Sequence, residues 1–314
     1  MSTTNATTSS TTNTTTTTTA SAPVSAPVST SAIRIPIFQV DAFTDRLLWG
    51  NPAAVCPLDS WLPAPVMQAI ALENNLPETA FIVRNGDAYD LRWFTPATEV
   101  DLCGHATLGA AHVVLTHLEP DWDEVTFHSA SGPLVVARQG DGDRFGLTFP
   151  ALEFTPVDPP ADLLRGLGPV APTAVYRSMD YIAVYENEAQ VRAVVPDPRA
   201  LSALDLRGVV VTAPGDGADF CSRFFGPKLS IPEDPITGSA HCALVPYWAE
   251  RLGRTRLHAH QFSPRLGRTR TISLDCELTG DRVGLIGAAR PYMTGVIQLS
   301  EEDLDQSPDP ARRP

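Results

Sequence analysis

The chain has 314 residues, a formal net charge of -13, 43% hydrophobic residues and 19% charged ones. An acidic surface repels phosphate backbones, so DNA and RNA are disfavoured as partners, and no stretch reaches the ~20 apolar residues of a membrane-spanning helix. The five cysteines (Cys56, Cys103, Cys221, Cys242, Cys276) are scattered, odd in number and without a C-x-x-C pair, which indicates neither a disulfide framework nor a thiolate zinc site.

Residues 1–31 are rich in Ser, Thr, Ala and Pro and carry no charged side chain. Such a segment buries too little apolar surface to offset its chain entropy and is expected to be disordered. It lacks the basic start and apolar run of a secretory signal and the arginines of a mitochondrial presequence, so a cytoplasmic location is expected.

After the tail, Ile35 to Phe43 and Ala53 to Cys56 read as strands, the second bounded by Asn51-Pro52 and Pro57. Leu62 to Asn74 reads as a helix, with Pro63 near its first turn and Val66, Met67, Ile70 and Leu72 at helical spacing. Thr79 to Arg84 and Ala88 to Phe94 then form strands around Asn85-Gly86-Asp87. In the second, Tyr89, Leu91 and Trp93 alternate with Asp90 and Arg92, the pattern of a sheet with one wet face.

From Gly104 to Leu115 the apolar residues go round the whole helix, so it must be buried on most sides. Strands follow at Glu124 to His128, Pro133 to Arg138 and Arg144 to Phe149, and a sheet curled around the helix would enclose it. The second half repeats the plan, with strands near Ala174 to Arg177, Tyr181 to Tyr185, Gly208 to Ala213 and Asp219 to Phe224. A second all-round apolar helix starts at Gly238, and strands follow near Leu257 to Phe262, Arg268 to Asp275, Arg282 to Gly287 and Thr294 to Leu299. Both helices open with Gly-x-Ala. Pro246, inside the second, is expected to kink it.

Chemistry is carried by few residues. Glu78, in Asn75-Leu76-Pro77-Glu78-Thr79-Ala80-Phe81, is a lone carboxylate between a helix and an apolar strand. Partial loss of water there would suit general acid/base work; an ordinary solvated glutamate is the other reading. The segments Asp101 to His105 and Glu233 to Ser239 begin the two buried helices. Free amides at such starts attract anions, and glycine lets the backbone approach closely, although plain capping by Thr237 or Ser239 would use the same residues. His241 either lines a cleft or is a bonded core histidine. His258-Ala259-His260 puts two imidazoles on one face of a strand with no third ligand in sight, so no metal is expected there. Phosphate-loop and dinucleotide fingerprints are absent, and no cofactor is expected.

The strings VDAFTDRLLWGNPAAV, NLPETAF, RWFTPATEVDLCGHATLGAA, CSRFFGPK and PEDPITGSAHCAL resemble the PhzF family of phenazine-biosynthesis-like proteins, within the diaminopimelate-epimerase-like superfamily. The resemblance runs from Ile33 to Leu299. It implies an α+β fold of two similar domains, here 32–150 and 151–300, each a curved antiparallel or mixed sheet or barrel around a central helix. The last strands would be able to return to the first domain, and 301–314 would form a flexible tail. It further implies a homodimer and a small-molecule site between the domains.

The resemblance places the proton-shuttling acid/base on Glu78 and the polarising residues on His105 and Asp234. Substrate-binding roles fall on Gly104, Gly238 and Ser239. Serine is frequent in the family where this chain has Pro77. Related epimerases and racemases use two opposed cysteines. Cys103 falls at the first such position, but the second is Pro235, which carries no proton. A one-base mechanism at Glu78 fits better, with Cys103 as a packing residue. The expected reaction is a cofactor-independent proton shift on a carboxylate-bearing metabolite such as trans-2,3-dihydro-3-hydroxyanthranilate. An amino-acid epimerase and a non-catalytic binding protein are the alternatives.

Overall fold

Two runs of strands pair in the same order. The first comprises β1 (Ile33–Ala42), β2 (Asn51–Leu58), β3 (Glu78–Asn85), β4 (Ala88–Phe94), β5 (Glu99–Val100), β6 (Glu124–Ser129), β7 (Gly132–Arg138) and β8 (Arg144–Pro150), with helices α1 (Ala64–Asn74) and α2 (Gly104–Val113). The second comprises β9 (Thr155–Pro156), β10 (Ala174–Arg177), β11 (Tyr181–Val184), β12 (Val209–Pro214), β13 (Phe220–Gly226), β14 (Ile231–Asp234), β15 (Arg256–Arg265), β16 (Arg268–Thr279) and β17 (Arg282–Leu299). Its helices are α3 (Ala161–Leu167), α4 (Glu188–Ala193), α5 (Pro198–Ser202) and α6 (Gly238–Leu252). This computed structural model describes residues 1–2, 33–140, 142–229, 231–265 and 268–304. The expectations for the Ser/Thr-rich segment and for the end of the chain beyond 304 lie outside the described residues.

In the first run β1 is antiparallel to β2, β2 parallel to β3, β3 antiparallel to β4 and β4 parallel to β6; β6, β7 and β8 are then antiparallel. The second run repeats this step for step through β10, β11, β12, β13, β15, β16 and β17. Even the short strands correspond, since β5 lies on β4 as β14 lies on β13. Parallel neighbours need a crossover, and the second crossover of each run holds its buried helix, α2 or α6.

The last strand serves both runs. Residues 282–288 of β17 pair with β8, and the rest pairs with β1. That closes the circuit β1, β2, β3, β4, β6, β7, β8, β17 into a barrel around α2, whose residues from His105 to Val113 are all buried. The fold is thus α+β, with sheets wrapped around central helices. β17 joins the two strands expected at Arg282 to Gly287 and Thr294 to Leu299. Pro291 lies between those two stretches, where the register shifts opposite Gln39 and Val40, and a bulge tolerates the missing donor.

α6 runs on through Pro246. The proline removes the amide that would bond the Cys242 carbonyl, and that oxygen instead accepts from the Leu152 amide at 2.9 Å, in the segment joining the two runs.

The turn leading into β2 matters for the site. Phe43, almost fully buried, takes a φ of +58°, a conformation that an aromatic residue rarely adopts and that costs on the order of 1–3 kcal/mol. Its ring lies where a side chain at residue 287 would be, since a Cβ on Gly287 would fall 2.3 Å from Phe43 Cδ1. Gly287→Ala is therefore expected to destabilise the protein by about 1–3 kcal/mol, read as a lower midpoint in urea unfolding.

Candidate active site

α1 ends on Asn75, whose left-handed φ of 49° suits asparagine, with its amide bonded to the Ala71 carbonyl at 3.2 Å. Leu76 and Pro77 complete the turn, and Glu78 opens β3 in register with Ala53 of β2. A bond from Asn74 Nδ2 to Thr79 Oγ1, 3.1 Å, braces the corner. Glu78 is 8% exposed, so the loop-surface reading does not apply.

Cys103 is the N-cap of α2, followed by Gly104 and His105; Thr237 is the N-cap of α6, followed by Gly238 and Ser239. His105 and Ser239 therefore occupy equivalent positions in the two runs. The two starts meet, because a Cβ on Gly104 would stand 3.9 Å from Gly238 Cα and one on Gly238 would stand as close to Gly104 Cα. Unpaired amides from both helices thus converge, and each carries the positive end of a helix dipole.

His105 Nε2 lies 3.1 Å from Glu78 Oε2, and its Nδ1 lies 3.5 Å from Cys103 Sγ and 3.2 Å from Asn51 Nδ2. The same Asn51 nitrogen donates to Asp234 Oδ1 at 3.3 Å, while Thr237 Oγ1 donates to Asp234 Oδ2 at 2.7 Å. Gln261 holds the second helix start, accepting from the Thr237 amide at 3.0 Å and donating to the Asp234 carbonyl at 2.9 Å. Thr237 is therefore an N-cap by position only; its hydroxyl serves Asp234. Ser239 Oγ accepts from Arg207 Nη2 at 2.7 Å, and Arg207 is clamped bidentately by the buried Asp180.

Burial raises the Asp234 carboxyl from its ordinary 3.8 to about 6, against the pull of His105 and Thr237. Burial also works most strongly on His105, opposing its charge, but Cys103 and Glu78 outweigh it and raise its pKa well above the usual histidine range. Cys103 is held up by burial and by the Glu78 charge, so its thiol stays protonated at neutral pH and Glu78 is the charge that supports an imidazolium there. His241 is a core histidine: fully buried, bonded through Nδ1 to the Thr237 carbonyl at 2.9 Å and lowered by burial to about 4.

Among the described residues, Glu78, Cys103 and His105 are the one trio whose ligand atoms lie within 4.8 Å of one another. With the thiol held protonated and the imidazole Nδ1 already facing Asn51 and Cys103, the trio lacks the ready thiolate of a metal centre. His258 pairs with Asp275 instead, Nδ1 to Oδ1 at 2.7 Å, with its side chain 43% exposed.

Asn51, Thr237, Gln261 and Arg207 were not read as site residues from the sequence, although Thr237 was seen as a cap. Gln261 left a signal, being a polar residue in the inward-facing series Leu257, Ala259, Gln261 of β15. Arg207 left none, because it lies outside any repeated pattern.

Buried helices inside matching sheets, with carboxylates and an imidazole where the helix starts meet, make up the candidate site. The chain belongs to the phenazine biosynthesis-like protein family, whose model matches residues 40–295. It is similar to an uncharacterized isomerase of Pseudomonas aeruginosa, 49% identical over 85% of this chain and 100% of that one. It is also similar to the human phenazine biosynthesis-like domain-containing protein, 35% identical over 84% and 99% of the two chains. Among solved structures, a PhzF-family protein of Enterococcus faecalis covers 85% of this chain and 100% of its own, at 44% identity and a TM-score of 0.80. Among the described residues no helix is long and apolar enough to cross a membrane.

Proposed function

We propose that the protein is an isomerase that moves a proton within a small carboxylate-bearing metabolite, shifting a double bond without a bound cofactor. The observation that carries this reading is the approach of Glu78 to His105, 3.1 Å, beside two facing glycine-led helix starts. In this mechanism Glu78 takes a proton from an activated carbon and returns it along the conjugated system, on the same face. The amides after Gly104 and Gly238 hold the substrate carboxylate, while His105 and Asp234 stabilise the charge that develops. Ser239 accepts from Arg207, so its own proton is available to a substrate oxygen.

Pro235 favours one base over two opposed thiols, because it stands where a second thiol would be needed. Family resemblance makes trans-2,3-dihydro-3-hydroxyanthranilate the first substrate to try, and a cytoplasmic homodimer the form expected to act on it. One observation favours a second reading. Asp234, poised near 6 on the opposite run, is suited to be a second acid in an epimerase.

Incubating the protein with a metabolite extract in heavy water, and identifying what gains deuterium, tests the proposal without assuming a substrate. An isomerase changes the ultraviolet spectrum of the labelled compound; an epimerase inverts a stereocentre, visible by polarimetry. Tight binding of a metabolite with no exchange would mean a binding protein and would end both readings.

A further inference from the structure

The pair Glu78 and His105 has a counterpart in the other run, and its charged member is a cation. Thr79 pairs with Phe94 and Val209 with Phe225, and β4 and β13 then meet their parallel partners the same distance back along the chain, at Tyr89 and Phe220. Val209 thus corresponds to Thr79, and Gly208 to Glu78. No side chain fits at Gly208, where a Cβ would fall 2.6 Å from Phe224 Cζ. The residue beside it, Arg207, reaches the second helix start instead, and it touches Ser239 as Glu78 touches His105.

Arg207 is fixed by the protein itself. Asp180, whose side chain is 4% exposed, accepts from Nε at 3.0 Å and from Nη2 at 2.9 Å, and so occupies one edge of the guanidinium. The other hydrogen of Nη2 goes to Ser239 Oγ at 2.7 Å. Nη1 makes no hydrogen bond with the described residues, and the Arg207 side chain is 34% exposed, so a solute can reach it. Because the guanidinium is planar, Nη1 lies on the same edge as the bond to Ser239. Its hydrogens and the unused proton of the Ser239 hydroxyl therefore stand side by side, at the positive end of α6.

We infer that Arg207 is a specificity-determining residue: with Ser239 it seats a second acidic group, so the substrate is a dicarboxylate whose first acid lies at the facing helix starts. Two neighbouring donors match the two oxygens of one carboxylate. Arginine can only donate, so an ammonium is repelled at this end of the site. The inference rests on the proposed seat of the first carboxylate between Gly104 and Gly238. It narrows the substrate class, since trans-2,3-dihydro-3-hydroxyanthranilate carries one acid and offers none to Arg207.

Calorimetry on the full-length protein, with benzoate and with phthalate, isophthalate and terephthalate, tests this without turnover. Wild type is expected to bind at least one of the diacids about ten- to a hundredfold more tightly than benzoate, the worth of one charge-assisted pair. In the double variant Asp180→Asn, Arg207→Gln, which strands no buried charge, that preference should disappear while benzoate affinity stays. Arg207→Lys, a second variant that keeps a cation on Asp180, should lose the preference too, because an ammonium engaged there presents no second edge. No preference in wild type, whether the diacids bind weakly or not at all, overturns the inference and requires no variant to fold. A preference that survives in either folded variant overturns it as well, as does one lost together with benzoate binding, which would make Arg207 a brace for the first carboxylate. Deuterium uptake is read separately: uptake with no diacid preference removes this inference alone, and a diacid preference with no uptake removes the proposed reaction alone.

Discussion

Glu78→Gln is expected to slow deuterium uptake into the substrate by on the order of 10²–10⁴-fold, the contribution typical of a positioned acid/base. Glutamine keeps the shape of the side chain and its contact with His105 but offers no carboxylate to receive a proton. The corner that holds residue 78 is made by other groups: the left-handed Asn75, Pro77 and the Asn74–Thr79 bond. Circular dichroism and the unfolding midpoint should therefore match wild type. Full uptake by a folded Glu78→Gln protein would move the base to another residue.

Asp234→Asn is the second large effect, with an expected loss of roughly 10²-fold, at the low end of what one acid/base or charge-stabilising group supplies. In wild type the Asp234 carboxylate forms only above about pH 6, because burial favours the neutral acid. As a donor to the developing negative charge Asp234 works protonated, so exchange should fall about tenfold per pH unit above that point, and the variant, whose amide does not titrate, should lack this limb. The stability consequence has a definite sign. The folded pKa is raised above the ordinary 3.8, so the folded state binds this proton more tightly than the unfolded chain does. The resulting stabilisation is complete below about 4 and is lost as pH rises through about 6. Urea unfolding from pH 4 to 7 should show this decline in wild type and a smaller one in Asp234→Asn. Equal slopes would mean that the Asp234 carboxyl is not raised in the folded state.

The architecture was largely legible because its signals are local and redundant. The all-round apolar character of 104–115 and of the helix from Gly238 required burial on every side, and sheets wrapped around them provide it. What could not be read locally was pairing. Nothing in Arg282 to Leu299 announces one continuous strand that leaves the second run to close the first, since that depends on partners in β1 and β8 more than 130 residues away. The short helices α3, α4 and α5 also went unread, though Asp197-Pro198 marks the start of α5: the Asp197 side chain accepts from the Arg199 and Ala200 amides.

The site divides in the same way. Glu78, His105 and Asp234 stand in short motifs, and the fold brings them together. Asn51 looks in sequence like the edge of a strand, and only the meeting of β2, α2 and β14 gives it partners on both sides. Arg207 is similar, since its contact with Ser239 crosses 32 residues and follows no periodic pattern.

The carboxylate of Glu78 and the thiol of Cys103 both lie against His105, and only one of them is the base. The direct test compares wild type, Glu78→Gln and Cys103→Ala side by side at neutral pH in heavy water, with mass spectrometry reading deuterium in whichever metabolite wild type labels. Uptake by wild type and Cys103→Ala, with loss in Glu78→Gln, is the predicted result. Uptake that survives in Glu78→Gln and disappears in Cys103→Ala would contradict the account, because the thiol would then be the base.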